Sequence, residues 1–168
     1  ARQNIVYLMG VMGHFAGDAS QPLHTTKHYN GWVGDNPHSY TTNRRFHSWI
    51  DGGYLKRTGG LDFNKLKRQA RKGKKLNTIR GRTDYIFPVI IGFIREQHKL
   101  VEPLYRMDKD GKLTGDGAKG RMGKPFLEKQ IVASSELLTD LWYTAYKLAP
   151  ADRYLIARLN ERKLNASK

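Results

Sequence analysis

The chain has no cysteine. Disulfides are therefore excluded, and so is any metal site built on thiolates; a metal here has to be held by histidine and carboxylate. Long apolar runs are missing too. None approaches the roughly 18 residues that crossing a bilayer takes, so no transmembrane segment is expected. Acids are scarce: 15 Asp and Glu stand against 30 Lys and Arg, a net charge of +15 over 168 residues. That imbalance favours polyanionic partners, whether nucleic acid, anionic lipid surfaces or phosphorylated substrates. The plainer alternative is a surface charge that keeps the chain in solution. The opening stretch ARQNIVYLMGVMGHF lacks the basic-then-apolar order of a secretory leader and reads as a working helix. No internal repeat stands out, and nothing argues for strands beyond a short ribbon in 108–125.

What is present is an ordinary globular composition. Hydrophobic residues make up 39%, enough for a core and too many for a disordered chain. The length suits one domain, 1–168, which buries about two-thirds of its unfolded surface. Helical spacing predicts five helices and one further short basic helix. The first spans 2–17, with Ile5, Leu8, Met9, Met12 and Ala16 as its apolar stripe. Gly10, Gly13 and Gly17 lower its propensity and suggest close packing against another element; Pro22 ends it. The second spans 44–56, capped by Asn43 or Thr42. A short basic helix at 63–72 follows a cap at Asp62. The third long helix spans 84–107, capped by Asp84, with Pro88 near its start and a stripe of Ile86, Val89, Ile90, Phe93, Ile94, His98 and Val101. His98 reads as a packed or capping residue, because no partner stands at ligand spacing. A fourth helix covers 126–148 on Leu127, Ile131, Leu138, Leu141, Trp142 and Ala145. A fifth covers 151–165, with Pro150 near its first turn. The expected fold class is all-α.

Three segments interrupt this pattern. Residues 25–43 are rich in turn formers and read as a long ordered loop, a length that is usually functional or mobile. Residues 65–82 hold nine Lys or Arg and no acid. They form either a solvated basic face or a polyanion-binding surface, broken at Gly73 and Gly81. Residues 108–125 include DKDGKLTGDG, which superficially matches a calcium loop. Lys119 stands where that loop requires glutamate, so a polar hairpin or flexible loop is expected.

The chemistry concentrates in residues 13–51. His14 and Asp18 are four apart, which puts both on one helix face about 5–6 Å apart at Cβ. His47 and Asp51 repeat the spacing on a second helix, and His24 lies between them after Pro22. One such pair alone is most simply a helical hydrogen-bonded pair. Two pairs with a loop histidine can converge on metal. Zinc accepts imidazole nitrogen and carboxylate oxygen and leaves a position for water in catalytic sites. His24, His47 and Asp51 would make a three-ligand set. His14 and Asp18 would be an incomplete pair needing further ligands.

GHFAGDASQPLH (13–24) followed by FHSWID (46–51) resembles the signature of the S1/P1 nuclease and zinc-dependent phospholipase C superfamily. The order is His-x-x-x-Asp, Gln-Pro-Leu-His, then His-x-x-x-Asp or His-x-x-x-Glu. The resemblance implies a multi-helix fold with up to three zinc ions in a cleft. His14 and Asp18 would bind one zinc, with Asp18 bridging to a further one, and His24, His47 and Asp51 would bind the remaining one. Asp51 in the last place favours the nuclease branch; the bacterial phospholipase has glutamate there. The resemblance also implies a secreted or periplasmic location. Family members carry an N-terminal Trp, a His, an Asp and another His ahead of this motif. Ala1 lies 13 residues before His14, so the chain reads as the C-terminal portion of that fold: a fragment, a chain paired with a separate N-terminal segment that supplies the missing ligands, or a divergent protein that keeps one zinc, a missing N-terminal segment being favoured.

The implied activity is hydrolysis of phosphodiesters by metal-activated water, releasing 5′-nucleotides from single-stranded nucleic acid. The alternatives are a zinc phospholipase C and a non-catalytic polyanion-binding protein with a structural zinc. Trp32, Tyr29 and Tyr40 lie in the loop beside the candidate ligands. One of them could stack on a base, or they could simply pack the loop down. His28 and His38 read as loop or supporting residues rather than ligands.

Overall fold

A computed structural model of the chain describes residues 2–77 and 85–166. It is all-helical, with no strand among the described residues. The first helix, α1 (Arg2–Ser20), runs three residues past the expected end. A 3-10 turn (Pro22–Thr25) follows, started by Pro22, whose ring fixes φ. Next come α2 (Phe46–Ser48), a π turn (Trp49–Gly53) and α3 (Tyr54–Arg57), which together occupy the expected second helix. The helix starts later than 44, after Asn43 Oδ1 accepts Arg45 N–H at 2.9 Å. The short basic helix α4 (Phe63–Gln69) is capped as expected, Asp62 accepting Lys65 N–H at 2.9 Å.

The expected single helix over 84–107 is two: α5 (Ile86–His98) and α6 (Val101–Lys109). Pro103 is the reason. It has no N–H to give Lys99, and its ring clashes with that carbonyl, so helix cannot run through it; Pro103 is tolerated only in the first turn of a new helix. The expected cap Asp84 lies outside the described residues. Residues 108–125 are neither ribbon nor flexible loop. They hold the end of α6, a single turn α7 (Gly117–Gly120), and Leu113, which is buried. Trp49 Nε1 donates to Leu113 O at 2.8 Å, and the Tyr54 hydroxyl donates to Gly120 O at 3.0 Å. Then α8 (Lys124–Leu148) starts two residues earlier than expected. The last helix, α9 (Arg153–Ala166), is capped by Asp152, which accepts Leu155 N–H at 2.9 Å; Pro150 stays outside it.

The central core lies under the two irregular turns. Leu23, Phe46, Ile50, Tyr54, Leu104 and Tyr105 pack with Leu113 and Leu127. The long helix α8 meets α1 and α4, while α5 meets α1 and the 3-10 turn. The expected stripe of α1 is mostly open. Only Ala16 of that stripe is buried, while Ile5, Leu8 and Met12 are exposed. Of its glycines, Gly13 faces Leu138 of α8, and Gly10 and Gly17 face open space, so close packing is not their common role.

Part of the basic run is taken up by packing against α8 rather than left as a solvated face. Past α4 its backbone turns extended and lies along α8. Arg71 grips Asp140 through two guanidinium bonds of 2.8 and 2.7 Å. Asp140 also accepts Lys74 N–H at 2.8 Å, and Thr144 Oγ1 accepts Leu76 N–H at 2.8 Å. Lys65 reaches buried Glu128 at 2.6 Å. Lys67, Arg68, Lys72 and Lys75 remain exposed.

Candidate metal centre

Two turns and one helix end carry the five singled-out residues, of which His24, His47 and Asp51 converge. On α1, His14 Nε2 lies 3.3 Å from Asp18 Oδ2, as the four-residue spacing requires. The helix stops at Ser20, where Gln21 goes extended and caps the 3-10 turn. Leu23 is fully buried and anchors that turn, which turns His24 toward the cleft. On the other side, buried Phe46 and Ile50 hold α2 and the π turn down, and His47 and Asp51 rise between them. A π turn widens the helix by one residue, a distortion that recurs at functional sites. Gly53 permits it here, since a Cβ there would sit 2.6 Å from the Trp49 ring.

His24, His47 and Asp51 form a group that could hold a metal ion, one donor atom from each lying within 4.8 Å of the others. The two Nε2 atoms are 2.8 Å apart. His47 Nε2 is 2.9 Å from Asp51 Oδ2, and His24 Nε2 is 4.0 Å from the same oxygen. Ligand atoms around a tetrahedral zinc with 2.0–2.1 Å bonds stand about 3.3 Å apart. Two edges of the triangle are shorter than that and one is longer, so the donor types suit zinc, while tetrahedral binding would take side-chain shifts of about half an ångström. The two histidine rings meet edge to face, so neither stacks over the other's donor.

The remaining pair splits. Asp18 Oδ1 stands 3.4 Å from His24 Nδ1, the ring nitrogen on the side away from the trio. His14 is the outermost member and largely exposed. His24 and Asp51 of the trio border a cleft of about 300 Å³. Its polar wall is Asp18, Gln21, His24, Asp51, Gln130 and Ser134, and Ile50, Leu55, Leu127 and Ile131 form the apolar part.

The other histidines stay out of the group, as expected. His98 Nδ1 sits 3.0 Å from Thr25 O. His28 Nδ1 accepts Val33 N–H at 3.0 Å, and its ring stacks on Trp32 at 3.9 Å. Burial, with a smaller push from Lys27, lowers the His28 pKa below its usual value. His38 lies 3.8 Å from Glu102. Of the loop aromatics, Tyr40 is buried and Trp32 packs against the core between Tyr40 and Tyr105. Tyr29 alone is exposed, its ring 6.0 Å from His47.

Three supporting residues escaped the sequence reading. Gln21 Nε2 donates to Asp51 Oδ1 at 2.7 Å. Asn30 Oδ1 accepts His47 N–H at 3.2 Å. The Tyr105 hydroxyl donates to His28 O and accepts Gly31 N–H at 3.1 Å, fixing the loop that carries Asn30. Gln21 sits inside the motif and had a visible position. Asn30 and Tyr105 act across sequence separations that leave no local signal. Comparison with family models, characterised proteins and solved structures found no match to this chain.

Proposed function

We propose that this chain is a zinc-dependent phosphodiester hydrolase of the S1/P1 nuclease type, acting on single-stranded nucleic acid. The observation that carries the reading is the convergence of His24 Nε2, His47 Nε2 and Asp51 Oδ2 at the edge of an open cleft. Zinc held there would supply a Lewis acid for a phosphoryl oxygen and an acidified water. The chain's own residues do the rest. His24, His47 and Asp51 would hold the ion, and His24 and Asp51 border the cleft. Asp18 faces His24 Nδ1, favouring a proton on that nitrogen and a free lone pair on Nε2. Tyr29 offers an exposed ring beside His47 on which a base can stack. The net charge of +15 favours the approach of a polyanion to the protein.

His14 and Asp18 are assigned to a second, shared site, completed by ligands from a separate N-terminal segment. The open apolar side of α1 next to them supports that partner. A secreted or periplasmic setting belongs to the same reading.

The test compares zinc-loaded wild-type chain and His47→Ala on single-stranded DNA, RNA and phosphatidylcholine vesicles. The expected result is 5′-nucleotide release by the wild type and none by the variant. Hydrolysis of phosphatidylcholine alone would move the assignment to phospholipase C. Hydrolysis of no substrate, with nucleic acid still bound, would leave a basic polyanion-binding protein.

A further inference from the structure

Asp51 has two carboxylate oxygens, and they have different neighbours. Oδ2 faces the two histidine nitrogens. Oδ1 accepts the Gln21 side-chain amide at 2.7 Å. The amide orientation is fixed from its other end, where Gln21 Oε1 faces Leu23 N–H at 3.4 Å. Turning the amide over would set its oxygen against a carboxylate and leave the Leu23 N–H facing an NH2 group, two repulsive contacts in place of two favourable ones. Gln21 is also well placed to hold this position. It stands between the end of α1 and the 3-10 turn, with its own N–H bonded to Asp18 O at 3.1 Å and its carbonyl accepting His24 N–H at 3.0 Å.

We infer that Gln21 is a positioning residue for the metal: its amide occupies Asp51 Oδ1 and leaves only Oδ2 for coordination. This rests on the metal-centre reading above. A carboxylate with both oxygens free can bind an ion through both, as calcium sites commonly require. With Oδ1 engaged, Asp51 is a one-oxygen ligand. Together with two imidazole nitrogens it would give a three-ligand set of nitrogen and oxygen donors, which suits zinc rather than a hard cation. The same residue links the two histidine-bearing turns, because its backbone sets the turn that carries His24 while its side chain reaches Asp51.

The experiment measures zinc affinity of the whole chain by chelator competition, and the visible spectrum of the cobalt-substituted protein, in wild type and Gln21→Met. Gln21→Met is expected to weaken zinc roughly 10- to 100-fold. Its cobalt absorption is expected to fall toward the weaker five-coordinate type, as Asp51 gains its second oxygen. A cycle with Asp51→Ala separates this role from simple capping of the turn. If Gln21 acts through Asp51, Gln21→Met has no further effect in the Asp51→Ala background; an equal loss in both backgrounds overturns the inference. Unchanged affinity and spectrum in Gln21→Met overturn it too, while leaving the metal centre intact. Wild-type protein that binds no zinc removes the metal centre and this inference together. Gln21→Asn keeps the amide but is one methylene too short to reach Asp51. It is expected to behave as Gln21→Met does and serves as the second variant if Gln21→Met fails to fold.

Discussion

Tyr105 acts on the loop from 74 and 77 residues away, taking Gly31 N–H and giving its proton to His28 O. Burial raises its pKa to about 12, with Asp108 adding and the Gly31 N–H opposing. The folded value lies above the unfolded one near 10. Its contribution to stability is therefore complete below about pH 10 and lost as pH rises through about 12. Tyr105→Phe leaves the His28 carbonyl and Gly31 N–H without that partner and should cost about 1–3 kcal/mol in denaturant unfolding. Its alkaline unfolding limb should also flatten. Gly31 has φ of +97°, and a Cβ there would lie 2.7 Å from the Thr42 backbone, so no other residue type fits the bend Tyr105 holds. The two loop aromatics should part company on substitution. Tyr29→Ala should weaken nucleotide binding by about 1–3 kcal/mol with little effect on stability. Trp32→Ala should destabilise the fold by about 3 kcal/mol, because it empties a site against the core. Equal nucleotide affinity in wild type and Tyr29→Ala would remove the stacking role.

Among the elements, the extended stretch after α4 shows what the basic run is for. Burial alone would raise the Asp140 carboxyl, but Arg71, the Lys74 N–H and the surrounding positive charge outweigh it, and its pKa falls below the usual value. A depressed folded pKa means the stabilisation is complete above the unfolded carboxyl range near pH 4 and is lost as pH falls through the lower folded value. Wild-type stability should therefore drop as pH falls below about 4, and Asp140→Asn should be less stable at neutral pH with a shallower acid limb. Thermal unfolding across that range reads both. Gly73 lets the stretch approach α8, since a Cβ would sit 2.7 Å from Thr139 Cγ2; Gly73→Ala should cost about 1–3 kcal/mol. Helix positions were legible because periodicity and caps are local: Asp62 caps α4 in place. The break at Lys99–Leu100 was legible too, in Pro103, and was masked by the apolar stripe that continues across it. The π turn was not, because it depends on how the Trp49 ring packs over Gly53. The candidate ligands were readable from motif and spacing. Gln21, Asn30 and Tyr105 were not, because their roles come from hydrogen bonds that exist only after the turns meet.

Over the whole molecule, charge and exposure divide the surface. The exposed Lys67, Arg68, Lys72 and Lys75 flank a run whose Lys65 and Arg71 are already paired with acids of α8. Removing the free ones should weaken nucleic-acid binding and reduce its salt dependence while leaving the fold intact, as read by titrations at several salt concentrations. The buried core lies under the 3-10 and π turns that carry the site. The open side of α1 and the wholly unburied α9 contribute little to it. No helix among the described residues is long and apolar enough to cross a membrane. The account as a whole stands on zinc at His24, His47 and Asp51. The most direct measurement is the zinc content of the metal-replete chain after removal of free ion. At least one zinc per chain is the expected result; a wild-type content below one would contradict the account.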